Sequence, residues 1–521
     1  MNVKGFVLLA VLCSISSRFA RAAVNEDFVR GCKVAADNNR DRVDVTVRCD
    51  RGAARISGLA LRVHANRDIE RWCSTTVAKT VEEVVIVDDT AVGLLNDDSV
   101  VTSRGLRKLS GFPHLRRLIA PRFVEQADID AISDLQSLED LDLSKYLVPT
   151  HESKTIGRFG SMPQLRRLDF GGLELGDASI KDILPLTGLQ ELRLDGGGVT
   201  DKGLEQLKNL SDLRSLRLGE IGPAGVVALK GLPHLKHLET VIVGHGKPVD
   251  LSPLTALESL RIVGIDPATR VQLPQNLRRL KFENKYAGQL DLRAARHIAS
   301  VDIDLALGYS PGKGRDLRDR RARDMRWLRQ LPELTDLTLE MMSHNEDGQA
   351  IAALTSLRAL TIVISETPWP FSQQAILEQL DGLKQLESVN AALVISGINS
   401  LREHPNLRQL ACVGLGRDSL ALLLSLRRLH DLVLVLGPED REGTVGKMLA
   451  RLGELPELEK LTLANTVTND ELASLASLKK LRRLDLRHAS GFDAAGIASL
   501  VRRLPDLQEV NFTIQHTAPS R

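Results

Sequence analysis

The stretch Leu189-Gln190-Glu191-Leu192-Arg193-Leu194-Asp195-Gly196-Gly197-Gly198-Val199-Thr200-Asp201-Lys202-Gly203-Leu204-Glu205-Gln206-Leu207-Lys208-Asn209-Leu210 changes its hydrophobic period halfway along. Leu189, Leu192 and Leu194 end in a Leu-x-Leu alternation, the mark of a short strand with one buried face. After three glycines, Thr200 or Asp201 can cap a helix, and Leu204 and Leu207 then share one helical face at i, i+3. Thr468-Asn469-Asp470-Glu471-Leu472-Ala473-Ser474-Leu475 repeats the second half of this unit, and so does Gly176-Asp177-Ala178-Ser179-Ile180. The unit reads as strand, turn, short helix, turn. One such strand cannot bury its apolar face alone, so the unit has to be stacked on copies of itself.

The copies are present. The Leu-x-x-Leu-x-Leu spacing, in several copies with another residue at the second or third leucine, begins at Leu115, Leu138, Leu165, Leu189, Leu213, Leu235, Leu257, Leu277, Leu334, Leu357, Leu386, Leu407, Leu429, Leu458, Leu481 and Leu507. Degenerate versions begin at Val81 and Ile298, which makes eighteen rungs. Most spacings are 20 to 29 residues; the intervals 81–115 and 298–334 are longer. Composition agrees: 88 of 521 residues are Leu against 17 aromatics, as an array core built from one aliphatic residue requires. Lys and Arg number 69 against 67 Asp and Glu, a balance that excludes a nucleic-acid binder working through bulk positive charge.

The unit resembles the leucine-rich-repeat superfamily, and in particular bacterial exported proteins whose repeats read Leu-x-x-Leu-x-Leu-x-x-Thr-x-Val-Thr-Asp-x-Gly-Leu. Leu189 to Leu210 matches best, and Leu458 to Leu478 follows with Asn469-Asp470-Glu471 in place of Asp-x-Gly. The resemblance covers residues 81 to 514. It implies an α/β solenoid with a parallel β-sheet on the concave face and short helices on the convex face. It also implies a non-enzymatic binding scaffold, since members are mostly of that kind. Many units lack the Thr-Asp-x-Gly turn and their lengths drift, so curvature does not follow from the resemblance.

Outside the rungs, Lys4, the apolar run Phe6 to Ile15 and Ala20-Arg21-Ala22 form a secretory-signal pattern. Cleavage after Ala22 would leave 66 basic against 67 acidic residues and place the chain outside the cytoplasm, secreted or in a periplasm or cell envelope. No later stretch is long and apolar enough to span a bilayer. The expected organisation is a signal over 1–22, a cap or small domain over 23–78, sub-arrays over 79–305 and 325–514, an irregular basic insertion over 306–324 and a tail over 515–521. Within the cap, Val43 to Cys49 reads as a strand and Ile69 to Val77 as a short helix. Among Cys32, Cys49 and Cys73, an exported chain could pair any two, and spacing does not choose.

Few motifs suggest chemistry. Gly308-Tyr309-Ser310-Pro311-Gly312 matches a nucleophile elbow, but the residue after Ser310 must donate an N–H to the oxyanion and Pro311 has none. A serine hydrolase using Ser310 is therefore the remote alternative to an exposed loop. Gly443-Thr444-Val445-Gly446-Lys447-Met448 lacks the first glycine and the Ser/Thr of a phosphate loop. His234 and His237 flank an inward leucine without a third ligand, and no Cys-x-x-Cys occurs, so no metal or cofactor is expected.

The binding face follows from strand geometry. Residues flanking the second leucine of each rung point away from the core, onto the open face of the sheet. Those after it run from Asp142, Asp169, Arg193, Arg217, Glu239, Arg261, Lys281 and Asp302 into Thr338, Thr361, Asn390, Ala411, Val433 and Thr462. Those before it add Arg167, Glu191, His237 and Arg279. The rungs from 165 to 277 read as charged and leaning basic, and those from 334 to 458 as neutral. The expected site is Arg167, Arg193, Arg217, His237, Glu239, Arg261, Arg279 and Lys281, with a protein partner. Solubility of the array is the plain alternative for these charges. A secondary basic segment holds Arg315, Arg318, Arg320, Arg321 and Arg323, whose i, i+4 partners Asp316, Asp319 and Asp324 suit a solvated helix as well as an anionic docking site. No Trp or Tyr flanks a second leucine, which disfavours carbohydrate stacking. An exported effector or adaptor and a structural envelope protein share every one of these features.

Overall fold

The computed structural model describes residues 43–50, 53–63, 81–86, 101–120, 126–144, 157–171, 175–304, 325–340, 351–363, 380–394, 401–402, 404–413, 417–436, 445–492, 494–504 and 506–514, with isolated positions between 69 and 79. Ser310, Arg315, Arg318, Arg320, Arg321 and Arg323 lie outside them, as do residues 1–42 and the tail.

All eighteen rungs are strands, from Val81–Ile86 (rung 1) through Glu191–Leu194 (rung 5) to Glu509–Ile514 (rung 18). Each pairs in parallel with the rung before and the rung after it, in an unshifted register at the second leucine. Val84, Leu118, Leu141, Leu168, Leu192 and Leu216 thereby form one buried column, and the column continues to Val510. From rung 3 on, every rung is tied to the previous one in the same way: two successive N–H groups at the strand start donate to one carbonyl of the neighbour. Gln190 and Glu191 donate to Arg166 at 2.8 and 2.9 Å, and Arg214 and Ser215 to Gln190 at 2.8 and 3.0 Å. The strands flanking the 306–324 insertion, Ser300–Asp304 and Asp336–Glu340, pair over five residues, so the sheet runs on past it.

The outer layer is helical where the repeat has room. Asp201–Gln206 starts at Thr200, whose hydroxyl accepts from Lys202 N–H, and Asn469–Ser474 carries a full capping box between Thr468 and Glu471. The Asp of one unit also serves the next. The Asp177 carboxylate accepts the Thr200 N–H at 2.7 Å and the Thr200 hydroxyl at 2.6 Å, and bonds from Thr200 and Gly203 hold its pKa below the ordinary value. A Cβ on Gly203 would collide with that carboxylate, which explains the glycine of Asp-x-Gly.

Helices are not universal. Between rungs 7 and 10, where spacings fall to 20–22 residues, the outer layer is a three-stranded ribbon of Val249–Asp250, Val271–Gln272 and Leu290–Asp291. Here extended chain closes the turn, whereas the 22-residue units at 213–235 and 407–429 keep the helices Pro223–Leu229 and Arg417–Ser425. The end of the basic run also departs from the solvated-helix reading. Arg326–Gln330 is a 3₁₀ turn that buries Leu328 and packs Trp327 on Phe282, ring centroids 5.4 Å apart, with the indole N–H donating to Asn284.

Val43–Asp50 (β1) and Ala53–Val63 (β2), two residues apart in sequence, form an antiparallel hairpin. β2 pairs in parallel with rung 1, and β1 pairs antiparallel with rung 18, Val43 opposite Ile514 and Arg48 opposite Glu509. The eighteen parallel rungs do not close on themselves; the hairpin joins their two ends. Cys73 is a free thiol whose Sγ donates to the Lys108 carbonyl, so the 32–73 and 49–73 pairings are not made.

Candidate binding face on the concave sheet

The concave charges are not an isolated basic set. Along the position before the second leucine, rungs 1 to 5 alternate Glu83, Arg117, Asp140, Arg167 and Glu191. Their ion pairs are 3.7, 3.2, 4.0 and 3.2 Å. Two residues further along each strand, a second ladder runs from Asp169 through Arg193, Arg217 and Glu239 to Arg261, with Asp195, after the third leucine of rung 5, set between Arg193 and Arg217. Arg193 reaches Asp169 at 3.3 Å and Asp195 at 2.8 Å, and Arg217 reaches Asp195 at 2.7 Å and Glu239 at 3.0 Å. Arg261 joins Glu239 at 3.4 Å, and Lys281 pairs with Asp302 at 2.8 Å. Rungs are about 4.8 Å apart, so side chains at equal positions on neighbouring strands are within ion-pair reach. Through rung 5, and at Arg217, the cations of this face are paired with interleaved acids.

Burial and pairing compete at each carboxylate. Burial pushes Asp140 above its ordinary value, more than Arg117 and Arg167 pull it down. Burial likewise raises Asp169 against Arg193. Asp195 goes the other way. Burial raises it, but the hydrogen bond from Arg193 and the charges of Arg217 and Arg193 outweigh that and hold it low. Asp195 is held by two guanidinium groups, and its side chain is only 18% exposed.

The ladder opens into a groove over rungs 6 to 11, with a volume of about 380 Å³. Along its floor Ser215, Ser259 and Ser300 take the position where rungs 1 to 5 carry long charged chains, and they alternate with His237 and Arg279. Its lining holds four cations, Arg217, Arg261, Arg279 and Lys281, against two carboxylates, Glu239 and Asp302. Arg279 is exposed and makes no ion pair among the described residues. Beyond rung 11, the face continues with the half-buried Thr361, Ala411, Val433 and Thr462.

Of the residues expected from sequence, the structure brings six into this groove: Arg217, His237, Glu239, Arg261, Arg279 and Lys281. Arg167 and Arg193 lie outside it, in the neutralised ladder. Sequence reading missed Asp195, which follows the third leucine, and the three serines, which the flanking-position rule covers but a search for charge passes over. Among the described residues no group of three His, Cys, Asp or Glu could hold a metal ion, and no helix is long and apolar enough to cross a membrane.

Fold and face together define a leucine-rich-repeat solenoid with a charge ladder and a groove on its inner sheet. No family model matches the chain, and no curated protein matches it. Among solved structures it is similar to an internalin of Listeria monocytogenes, at 18% identity over 80% of this chain and 90% of the other, TM-score 0.25. A leucine-rich-repeat protein of Leptospira interrogans aligns at 15% identity over 85% and 97%, TM-score 0.29. The Toll–Spatzle complex of Drosophila aligns at 13% identity over 84% and 54%, TM-score 0.32. The fold assignment stands on this chain's own ladder of strands.

Proposed function

We propose that this chain is a non-enzymatic protein-binding scaffold that works outside the cytoplasm and holds an acidic polypeptide segment in the groove over rungs 6 to 11. One observation carries the reading. Arg217, Arg261 and Lys281 keep carboxylate partners in the groove, but Arg279 has no ion pair among the described residues and stands over a floor of small serines. That leaves space and positive potential in the groove, beside rungs whose charges are paired. Carboxylates entering there meet guanidinium groups with their planar donor fork, the side chain suited to bidentate recognition. The Lys4 to Ala22 pattern supports export.

The test is fluorescence anisotropy of a labelled Asp/Glu-rich peptide with the purified chain, beside a Lys-rich peptide of equal length. Arg279→Glu is the informative variant, because no ion pair of the ladder is broken by it. Acidic-peptide binding that falls with salt, and weakens about tenfold in Arg279→Glu, is the expected result. Equal binding of both peptides, or no effect of Arg279→Glu, overturns the groove as the site. N-terminal sequencing of the exported chain checks location, with Ala23 expected first.

A further inference from the structure

We propose that the hairpin β1–β2 is a latch that closes the eighteen-rung array into a ring, so that the concave face admits a chain segment or a single helix and excludes a globular domain. Every strand of the inner sheet, the two latch strands included, has a neighbour on both sides. An open array would instead leave the edges of rungs 1 and 18 unpaired, and such edges recruit other strands. β2 covers the first edge in parallel and β1 covers the last in antiparallel register over six residues. The two seams of β1 differ in kind. Its seam with β2 is a local hairpin of eight pairs. Its seam with rung 18 has six pairs and joins positions such as Thr46 and Asn511, which no short stretch of chain holds together. The rung 18 seam is therefore where the ring opens.

Ring size sets the class of partner. Twenty strands at about 4.8 Å give a circumference of about 96 Å and a backbone diameter of about 31 Å, and inward side chains of about 5 Å leave a lumen of about 20 Å. An α-helix is about 10–12 Å across and passes. A 100-residue domain, with a radius of gyration of about 13 Å, is about 34 Å across and does not. The acidic segment of the preceding section, on whose reading this ligand class rests, would have to thread the ring or enter while the latch is open.

The test begins without ligand. In a Cys32→Ser, Cys49→Ser chain, Thr46→Cys with Asn511→Cys places two thiols on directly paired residues, whose Cα atoms are about 4.5–5.5 Å apart in an antiparallel sheet, within the range a disulfide spans. Near-complete cross-linking under mild oxidation is expected, with little in the out-of-register control Thr46→Cys, Glu509→Cys. Equal cross-linking in both, or none in either, overturns the ring. An acidic peptide carrying a folded domain at each end is then compared with the free peptide. The free peptide should bind oxidised and reduced protein alike, and the blocked one should bind the oxidised ring at least about tenfold more slowly than the reduced form. Equal rates overturn the size restriction. Failure of both peptides to bind overturns the acidic-segment reading and the ligand half of this proposal, while the cross-link decides the ring by itself.

Discussion

Asp195→Asn tests the charge ladder at its most committed point. The carboxylate takes Nε and Nη2 of Arg193 at 2.8 and 3.0 Å and Nε of Arg217 at 2.7 Å. Hydrogen bonds to charged groups contribute about 1.5–3 kcal/mol each, and exposed ion pairs about 0.2–1 kcal/mol. This site lies between those limits, and neither cation is orphaned, because Arg193 keeps Asp169 and Arg217 keeps Glu239. Asparagine also preserves shape and one acceptor. The expected loss is about 1–2 kcal/mol, a factor of about 5–30 in a local opening equilibrium. Unfolding of a repeat array need not be two-state, so the assay is native-state hydrogen exchange, with Leu194 and Leu218 read against distant Leu461. The Asp195 carboxyl is held below its ordinary value in the folded chain. Its contribution is therefore present above the unfolded pKa of about 3.9 and is lost as pH falls through the lower folded value. The difference between wild type and variant should shrink from about pH 4 downward. The same change frees Arg193 and Arg217 from a carboxylate, so acidic-peptide affinity should rise while stability falls. Unchanged protection at Leu194 and Leu218, or an equal loss at Leu461, would refute the ladder as a local structural element.

Asp431→Asn should act with the opposite sign. Burial raises the Asp431 carboxyl against a Lys460 ammonium 3.9 Å away, so wild type loses stability as pH rises through the folded pKa. The variant should be more stable by about 0.5 kcal/mol at pH 7 in urea titrations and no different once both side chains are neutral. Gly203→Ala should destabilise by about 1–3 kcal/mol despite the better helix propensity of alanine, because its Cβ strikes the Asp177 carboxylate. In an Asp177→Ala background the penalty should vanish, which a double-mutant cycle reads directly. Cys412 is fully buried, with its thiol pushed up to about 12, so maleimide at pH 8 should label it only at the rate of unfolding. Rapid labelling of the native chain would contradict its packing in the core.

The ladder was legible because its signal is repeated. Each rung is announced by its own leucines, and even Val81 and Ile298 keep the spacing, so all eighteen strands fall where the pattern puts them. The loss of helices between rungs 7 and 10 is not legible from spacing, because the 22-residue units at 213–235 and 407–429 keep theirs. The latch was half legible. Alternation of Val43, Val45 and Val47 marks a strand, and β1 is one. Alternation says which residues share a face, but it does not name a neighbour. The partner of β1 lies at 509–514, and a contact that distant leaves no periodic trace.

The binding face shows why a site on a periodic scaffold is hard to read from charges alone. A cation in a rung tells nothing of its environment until the next rung is laid beside it about 4.8 Å away. Arg193 and Arg279 look alike in sequence, yet one is held between two carboxylates and the other has no ion-pair partner among the described residues. The useful signal is a lapse in the pairing. At the position before the second leucine, Glu, Arg, Asp, Arg and Glu alternate through rung 5, and then Ser, His, Ser, Arg and Ser follow from rung 6 to rung 10. The first five neutralise one another and fill their own space. The next five do neither, so the groove and its surplus of positive charge arise from the same substitutions. On such a sheet, residues that satisfy each other stabilise the array, and the rungs where that reciprocity stops are left with the capacity to bind.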